Sequence, residues 1–447
     1  MRRTWTLRAA RAIPVAAFAL LFLFHFYLIF KYAVDVPFLD DWHLLRKDGL
    51  PAGFSLSWLF AFHNEHRIVP TKLIYLLSLH ATGLDLRILQ LLNFALYGLL
   101  LLFVAWFAKR IEPQLPVWVL FGFLIFLLSP FINENHLWAF QSSFHLSLLF
   151  FLAAVYFLFC REQRARSLLA GAGLAILCCY SLASGMASGL VLLLMFSLFK
   201  LSRLFSAPDR AQRWRELGQL SLVVVPLLAA QALWFVGFQR PGSHPSLALP
   251  YTLSFWKSLA GLVSLGFGFS TARAGRDAFY FLLVLAPLVG GLWRARGRMP
   301  VSLWAISTVI LGLIGCLSSI AVGRANMGPG GRFHRYGEMS MMLIPFSVLA
   351  WSFFLKDKAR LKTVMLVSLW LFCAFGFRHS WSLFSVYGRI AQARSEGIEC
   401  LKNYYEHGGE AVCPRSYPYP LAEPLEAAKD LNLSFYQKIQ DSKTLHR

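Results

Sequence analysis

The sequence predicts an all-α, polytopic transmembrane protein, and three observations carry that prediction. Of 447 residues, 57% are hydrophobic and only 15% charged, with a mean hydropathy of +0.56. A soluble chain carries roughly a quarter charged residues. The 16% aromatic content gives far more apolar surface than a disordered chain holds. Long apolar runs recur along the chain, close to the roughly 20 residues that cross about 30 Å of hydrocarbon. The net charge of +21 and pI near 10 would elsewhere point to nucleic acid. In a membrane protein basic residues instead set orientation, and no nucleic-acid partner is expected.

The first run, 13–34, follows Arg2, Arg3, Arg8 and Arg11, so the N-terminus is expected inside. The run is too long for a signal-peptide core, and no small-residue cleavage site follows Asp35, which reads as a retained span. Further runs lie at 86–108, 115–131, 142–160, 167–182, 184–199, 218–238, 278–293, 301–322, 338–355 and 361–377, making about eleven spans. The basic clusters 109–110, 161–166, 200–215, 294–298 and 356–362 then all fall in short inner loops. About half of the 43 Lys and Arg sit in these clusters and the N-terminus, as the positive-inside rule requires.

Two stretches, 68–82 and 254–271, are shorter and broken by polar residues. They read as interfacial helices in the first and fourth outer loops, since counting either as a span would turn later basic clusters outward; two short spans that cancel each other's inversion are the other reading, which puts the basic clusters between Lys109 and Arg215 outside. Residues 1–377 form the membrane domain. Residues 378–447 are richer in Glu and Pro and form a small tail, expected outside. Cys400 and Cys413 lie in that tail, and either bridge in an oxidising compartment or remain two thiols.

Polar groups gather in the outer loops. Asp40 and Asp41 follow the first span beside Trp42; adjacent carboxylates in low dielectric suit a general base or a metal pair, and also suit a helix cap. Asn64-Glu65-His66-Arg67 closes the same loop, a string able to hold phosphate or sugar and orient a base, or to cap an interfacial helix. Glu134, His136, Trp138 and Gln141 form a loop without Lys or Arg, whose amide, acid, imidazole and indole groups suit a sugar; an aromatic interface belt is the other reading. The Ser181–Gly189 loop is small and reads as close helix packing. The loop 323–338 carries Arg324, Arg332, His334, Arg335 and Tyr336 on a Gly/Pro backbone, where arginine forks suit a lipid phosphate or headgroup.

An inner N-terminus, one span, an outer loop opening with an acidic pair, many further spans and an outer C-terminal segment resemble the GT-C superfamily of membrane glycosyltransferases. The residues that carry the resemblance are Asp40-Asp41-Trp42, Asn64 to Arg67, Glu134 to Gln141 and Arg332 to Tyr336. The pattern looks like the bacterial branch of O-antigen glucosyltransferases and arabinofuranosyltransferases, where several relatives carry Asp-Glu in place of Asp-Asp. The resemblance implies a polyprenyl-phosphate sugar donor, a cell-envelope glycan (lipopolysaccharide among them) or protein acceptor, and a bacterial plasma membrane with the site facing outward. It implies Asp40 as base, with Asp41 or Glu65 orienting the acceptor or binding a divalent cation (Mg, Mn or Ca). Arg332 and Arg335, with His334, Tyr336 or Arg67, would neutralise the leaving phosphate, and single displacement would invert the anomeric carbon. A lipid-linked sugar flippase or an O-antigen ligase or polymerase are the competing readings.

Overall fold

The structure is a computed structural model that describes residues 2–240, 242, 245–295, 299–331, 333–408, 412–414 and 416–444. It is 79% helical, with no strand among the described residues. Ten helices there are long and apolar enough to cross a membrane: Arg11–Tyr32, Leu86–Ile111, Val117–Leu137, Ala139–Cys160, Ala183–Phe205, Arg210–Trp234, Ala274–Ala295, Val301–Gly328, His334–Phe354 and Ala359–His407. They match ten of the expected runs. The chain is therefore an all-α, multi-pass membrane protein by helix length and composition.

The eleventh run, expected at 167–182, is the 15-residue helix Ala165–Cys179. At 1.5 Å per residue it reaches roughly 22 Å, short of the hydrocarbon thickness. Its end is set by tertiary contact, because the Tyr180 carbonyl leaves the helix ladder to accept the Val69 N–H at 2.9 Å. The stretches at 68–82 and 254–271 become Val69–Thr82 and Leu253–Leu265, 14 and 13 residues long. The second does not simply lie along a surface. Its Phe255, Leu259, Leu262 and Val263 are buried, and it packs against Ala274–Ala295, Val301–Arg324 and Gly337–Met341. Gly266 lets it approach the Ser340 carbonyl, where a Cβ would stand only 2.6 Å away.

Burial orders the helices from centre to rim. His334–Phe354 is 83% buried over its apolar window and Ala139–Cys160 is 72% buried, whereas Arg11–Tyr32 and Arg210–Trp234 are 22% buried and Ala359–His407 is 17% buried. The central helices are packed by aromatic and aliphatic side chains, and the rim helices turn Leu, Phe and Val outward. Gly376 is the tightest crossing: the Phe267 carbonyl lies where its Cβ would be.

The loops divide between the two ends of the bundle. At one end Lys200 pairs with Glu216 at 3.0 Å, Gln219 bonds the Gln163 carbonyl at 2.6 Å, and Arg294 pairs with Asp357. These are the loops of the basic clusters. At the other end the 33–85 and 133–141 segments meet the C-terminal region, and Glu65 of the first pairs with Arg324. Helix Val386–His407 packs on the first helix and on Asn133–Leu137. Cys400 and Cys413 form a disulfide. Asp35 accepts from Ser434 at 2.7 Å and Lys438 at 2.5 Å, and Lys438 also reaches Asp85 at 3.0 Å. The tail is thus bound to the first loop rather than a separate body.

Candidate functional site

A cavity of about 390 Å³ opens at this second end, a size that suits a small ligand or part of a larger one. Its walls come from the first loop, the 138–144 and 182–184 segments, Phe238, Arg240 and Leu247, and the end of Val301–Arg324 with Arg335 and Tyr336.

Local backbone explains how the first loop reaches it. His63 and His66 exchange both backbone hydrogen bonds, at 2.7 and 2.9 Å, and close a tight turn whose centre is Asn64-Glu65. Asn64 takes the left-handed conformation (φ 51) that Asn tolerates and such turns need. The turn presents Asn64 and Glu65 to the cavity. Leu39 also has positive φ (46), which is costly for a bulky side chain, and its N–H is held by the Ser416 carbonyl at 3.1 Å. This bend immediately precedes the acid pair.

The two acids face different surroundings. Asp40 lines the cavity and accepts a long bond from Asn64 Nδ2 at 3.4 Å. Asp41 is buried: Tyr75 donates to its Oδ1 at 2.5 Å and the Phe38 N–H to its Oδ2 at 2.9 Å. Burial raises the Asp41 pKa to about 7, against the lowering effect of those two bonds and of Arg394. Each Asp41 oxygen accepts one hydrogen bond, which turns Asp41 toward Tyr75 and Phe38 while Asp40 lines the cavity. The helix-cap reading holds for Asp41, which binds the N–H at the start of helix Leu39–Leu45.

Among the described residues, three arginines line the cavity: Arg240, Arg324 and Arg335. Arg324 pairs with Glu65 at 2.6 Å. Arg335 stacks over Phe333 at 4.4 Å and Trp138 at 5.6 Å, and lies 3.8 Å from Glu134. Such stacking holds the planar guanidinium in place and leaves its edge for an anion. His66 accepts the Ala183 N–H on Nδ1 at 3.1 Å, which leaves Nε2 as the side that faces Glu65 at 3.6 Å. Burial lowers the pKa of His43, His63 and His66, so all three favour the neutral imidazole. Leu182, Phe238, Leu247, Ile320 and Val322 add apolar lining to the same cavity.

Of the residues singled out in sequence, Asp40, Asn64, Glu65, His66, Trp138, Gln141, Arg324, Arg335 and Tyr336 converge on the cavity. Others turn away. Arg67 is buried and donates to the carbonyls of Phe60, Trp234 at 3.0 Å and Val236 at 2.5 Å. His136 is buried against Tyr387, 3.0 Å from its hydroxyl. His334 stacks on Phe131 with ring centroids 4.4 Å apart. Glu134 reaches the site only through Arg335. Arg332 lies outside the described residues.

Several members of the site give no usable signal in sequence. Arg240 stands alone in a Pro/Gly/Ser stretch, and Ala183 and Ser184 read as packing residues. Behind the wall, Tyr417 of the tail hydrogen-bonds His43 Nε2, and Ser416 accepts from Trp42 Nε1 at 2.9 Å while donating to the Pro37 carbonyl at 2.8 Å. Compared with known proteins, the chain matches no family model, no curated sequence and no solved structure.

Proposed function

We propose that this protein is a membrane glycosyltransferase that moves a sugar from a polyprenyl-phosphate donor to an envelope glycan or protein acceptor. The observation that carries the reading is one cavity holding a carboxylate, Asp40, together with three arginines, the Trp138 indole and apolar lining. That combination matches the parts of the reaction. Asp40 takes the proton of the acceptor hydroxyl, whose oxygen attacks the anomeric carbon as the lipid phosphate leaves on the opposite face, so the anomeric centre inverts. Arg324, Arg335 and Arg240 carry the charge that develops on the phosphate. Trp138 covers the sugar's C–H face, and the apolar lining takes the start of the prenyl chain. Glu65 orients the acceptor and, through its ion pair, Arg324. Asp41 supports the loop and has no direct part. In this reading the end of the bundle that carries the basic clusters faces the cytoplasm, as the positive-inside rule favours, and the cavity opens on the outer side of a bacterial plasma membrane.

The test is sugar transfer in detergent, using purified protein, a polyprenyl-phosphate sugar and an envelope acceptor extract. Asp40→Asn is expected to reduce turnover by about 100-fold or more, the usual contribution of a general base. Undiminished transfer by that variant would overturn the assignment. One observation favours a second reading, a lipid-linked sugar transporter: His145 and Glu338 form a fully buried pair at 2.8 Å between two of the most buried helices, with Asn135 on the other Glu338 oxygen at 2.6 Å. Buried ionisable groups of this kind mark transport paths in other membrane proteins. Covalent transfer in detergent, with no membrane to cross, separates the two.

A further inference from the structure

We propose that Asp40, His43 and His63 bind a divalent transition-metal ion, with zinc the best match, in the first loop at the edge of the cavity. One ligand atom from each residue lies within 4.8 Å of the others. Ligands around a tetrahedral zinc stand about 3.4 Å apart, given bonds of about 2.0–2.1 Å, so small side-chain rotations close the site. Two features beyond this proximity point to a ligand. His63 is buried, yet its Nε2 has no hydrogen-bond partner. An orphaned buried nitrogen is costly, and an ion removes that cost. The His43 ring, 5.3 Å from that of His63, is held by the Tyr417 hydroxyl at Nε2, the kind of outer bond that orients metal-binding imidazoles.

The ligand set decides the ion. Two imidazoles and one carboxylate suit zinc, whereas magnesium and calcium select oxygen ligands. Three protein ligands leave a position open, as in sites where zinc meets a substrate or water. Two cations that act on these ligands are Arg46, on His43, and Lys72, on His63, the latter occupied by the Trp58 and Ala61 carbonyls at 2.6 and 2.8 Å. Asp40 is shared with the transfer reaction, and a carboxylate bound to zinc is a weaker base; zinc binding is therefore measured without turnover, and transfer is measured with and without the ion, so that the two readings fail separately.

The chain has 12 His, so the protein is purified without a polyhistidine tag and the site is read by spectroscopy as well as by stoichiometry. The expected result is one equivalent of zinc after dialysis, measured by inductively coupled plasma mass spectrometry. X-ray absorption is expected to show two imidazoles and one oxygen from protein. His43→Ala and His63→Ala are each expected to weaken zinc binding by about 10-fold or more. Should either variant fold poorly, the cobalt-loaded wild-type protein decides, since its visible d–d bands shift in Tyr417→Phe if Tyr417 orients a ligand. Absence of stoichiometric zinc in the wild-type protein, a ligand shell without two imidazoles, or unchanged binding in both folded histidine variants would overturn the proposal.

Discussion

The Tyr75 hydroxyl donates to Asp41 Oδ1 at 2.5 Å, and with that bond the acid pair ceases to be one functional unit. Asp40 faces the cavity and Asp41 faces the core between the first loop and helix Val69–Thr82. Two neighbouring carboxylates with the same chemistry in sequence therefore have different surroundings, one open to the cavity and one tied into the core.

Asp41 makes stability fall with rising pH. Its carboxyl titrates at about 7 when folded and about 3.9 when unfolded, so the unfolded chain releases its proton first. The contribution is fully present below about pH 4, declines to about pH 7, and is then level. Asp41→Asn removes this titration; its amide can donate to Tyr75 and accept from the Phe38 N–H. Thermal melts in detergent are expected to show a smaller drop between about pH 5 and pH 8 in the variant than in the wild type. Parallel pH curves for the two proteins would refute the role assigned to this carboxyl.

Arg67 and Arg335 are expected to fail in different ways. Arg67 holds three carbonyls of two segments, and its removal strands them in a buried place. Arg67→Ala should lower stability by about 3 kcal/mol, the scale of lost charged hydrogen bonds, and be seen as an earlier melt. Arg335→Ala leaves the melt within a few degrees but raises the donor KM by roughly tenfold, because its guanidinium lines the cavity. Equal effects on melting and KM in both variants would contradict the division.

The disulfide should support the first loop through the tail. The Cys413 carbonyl accepts from both Ser416 and Tyr417 N–H at 2.8 Å, and those two residues hold Trp42 and His43. Cys413→Ser is expected to cost about 3 kcal/mol, given a bridge separation of 13 residues. Limited proteolysis of membranes should then cut the chain faster between 400 and 417. A digestion pattern identical to that of the wild type would show that the turn stands without its bridge.

Much of the architecture was legible in the chain itself. Apolar runs of sufficient length located ten spans, because lipid leaves a helix few alternatives to satisfying its own backbone. Polar strings in otherwise apolar sequence marked the loops that meet at the cavity, since such groups gather where water or a ligand can meet them. What tertiary structure alone decided was direction and company. Leu39 in a positive-φ bend, anchored by Ser416, sends Asp40 to the cavity and Asp41 to Tyr75. The contact of His43 with Tyr417 joins residues 374 positions apart, and that of Glu65 with Arg324 joins residues 259 apart. Hydropathy reports how far a segment prefers lipid to water, and irregular loops have no period that fixes where a side chain points. Their orientation comes from long-range hydrogen bonds and packing, which exist only once the helices have assembled.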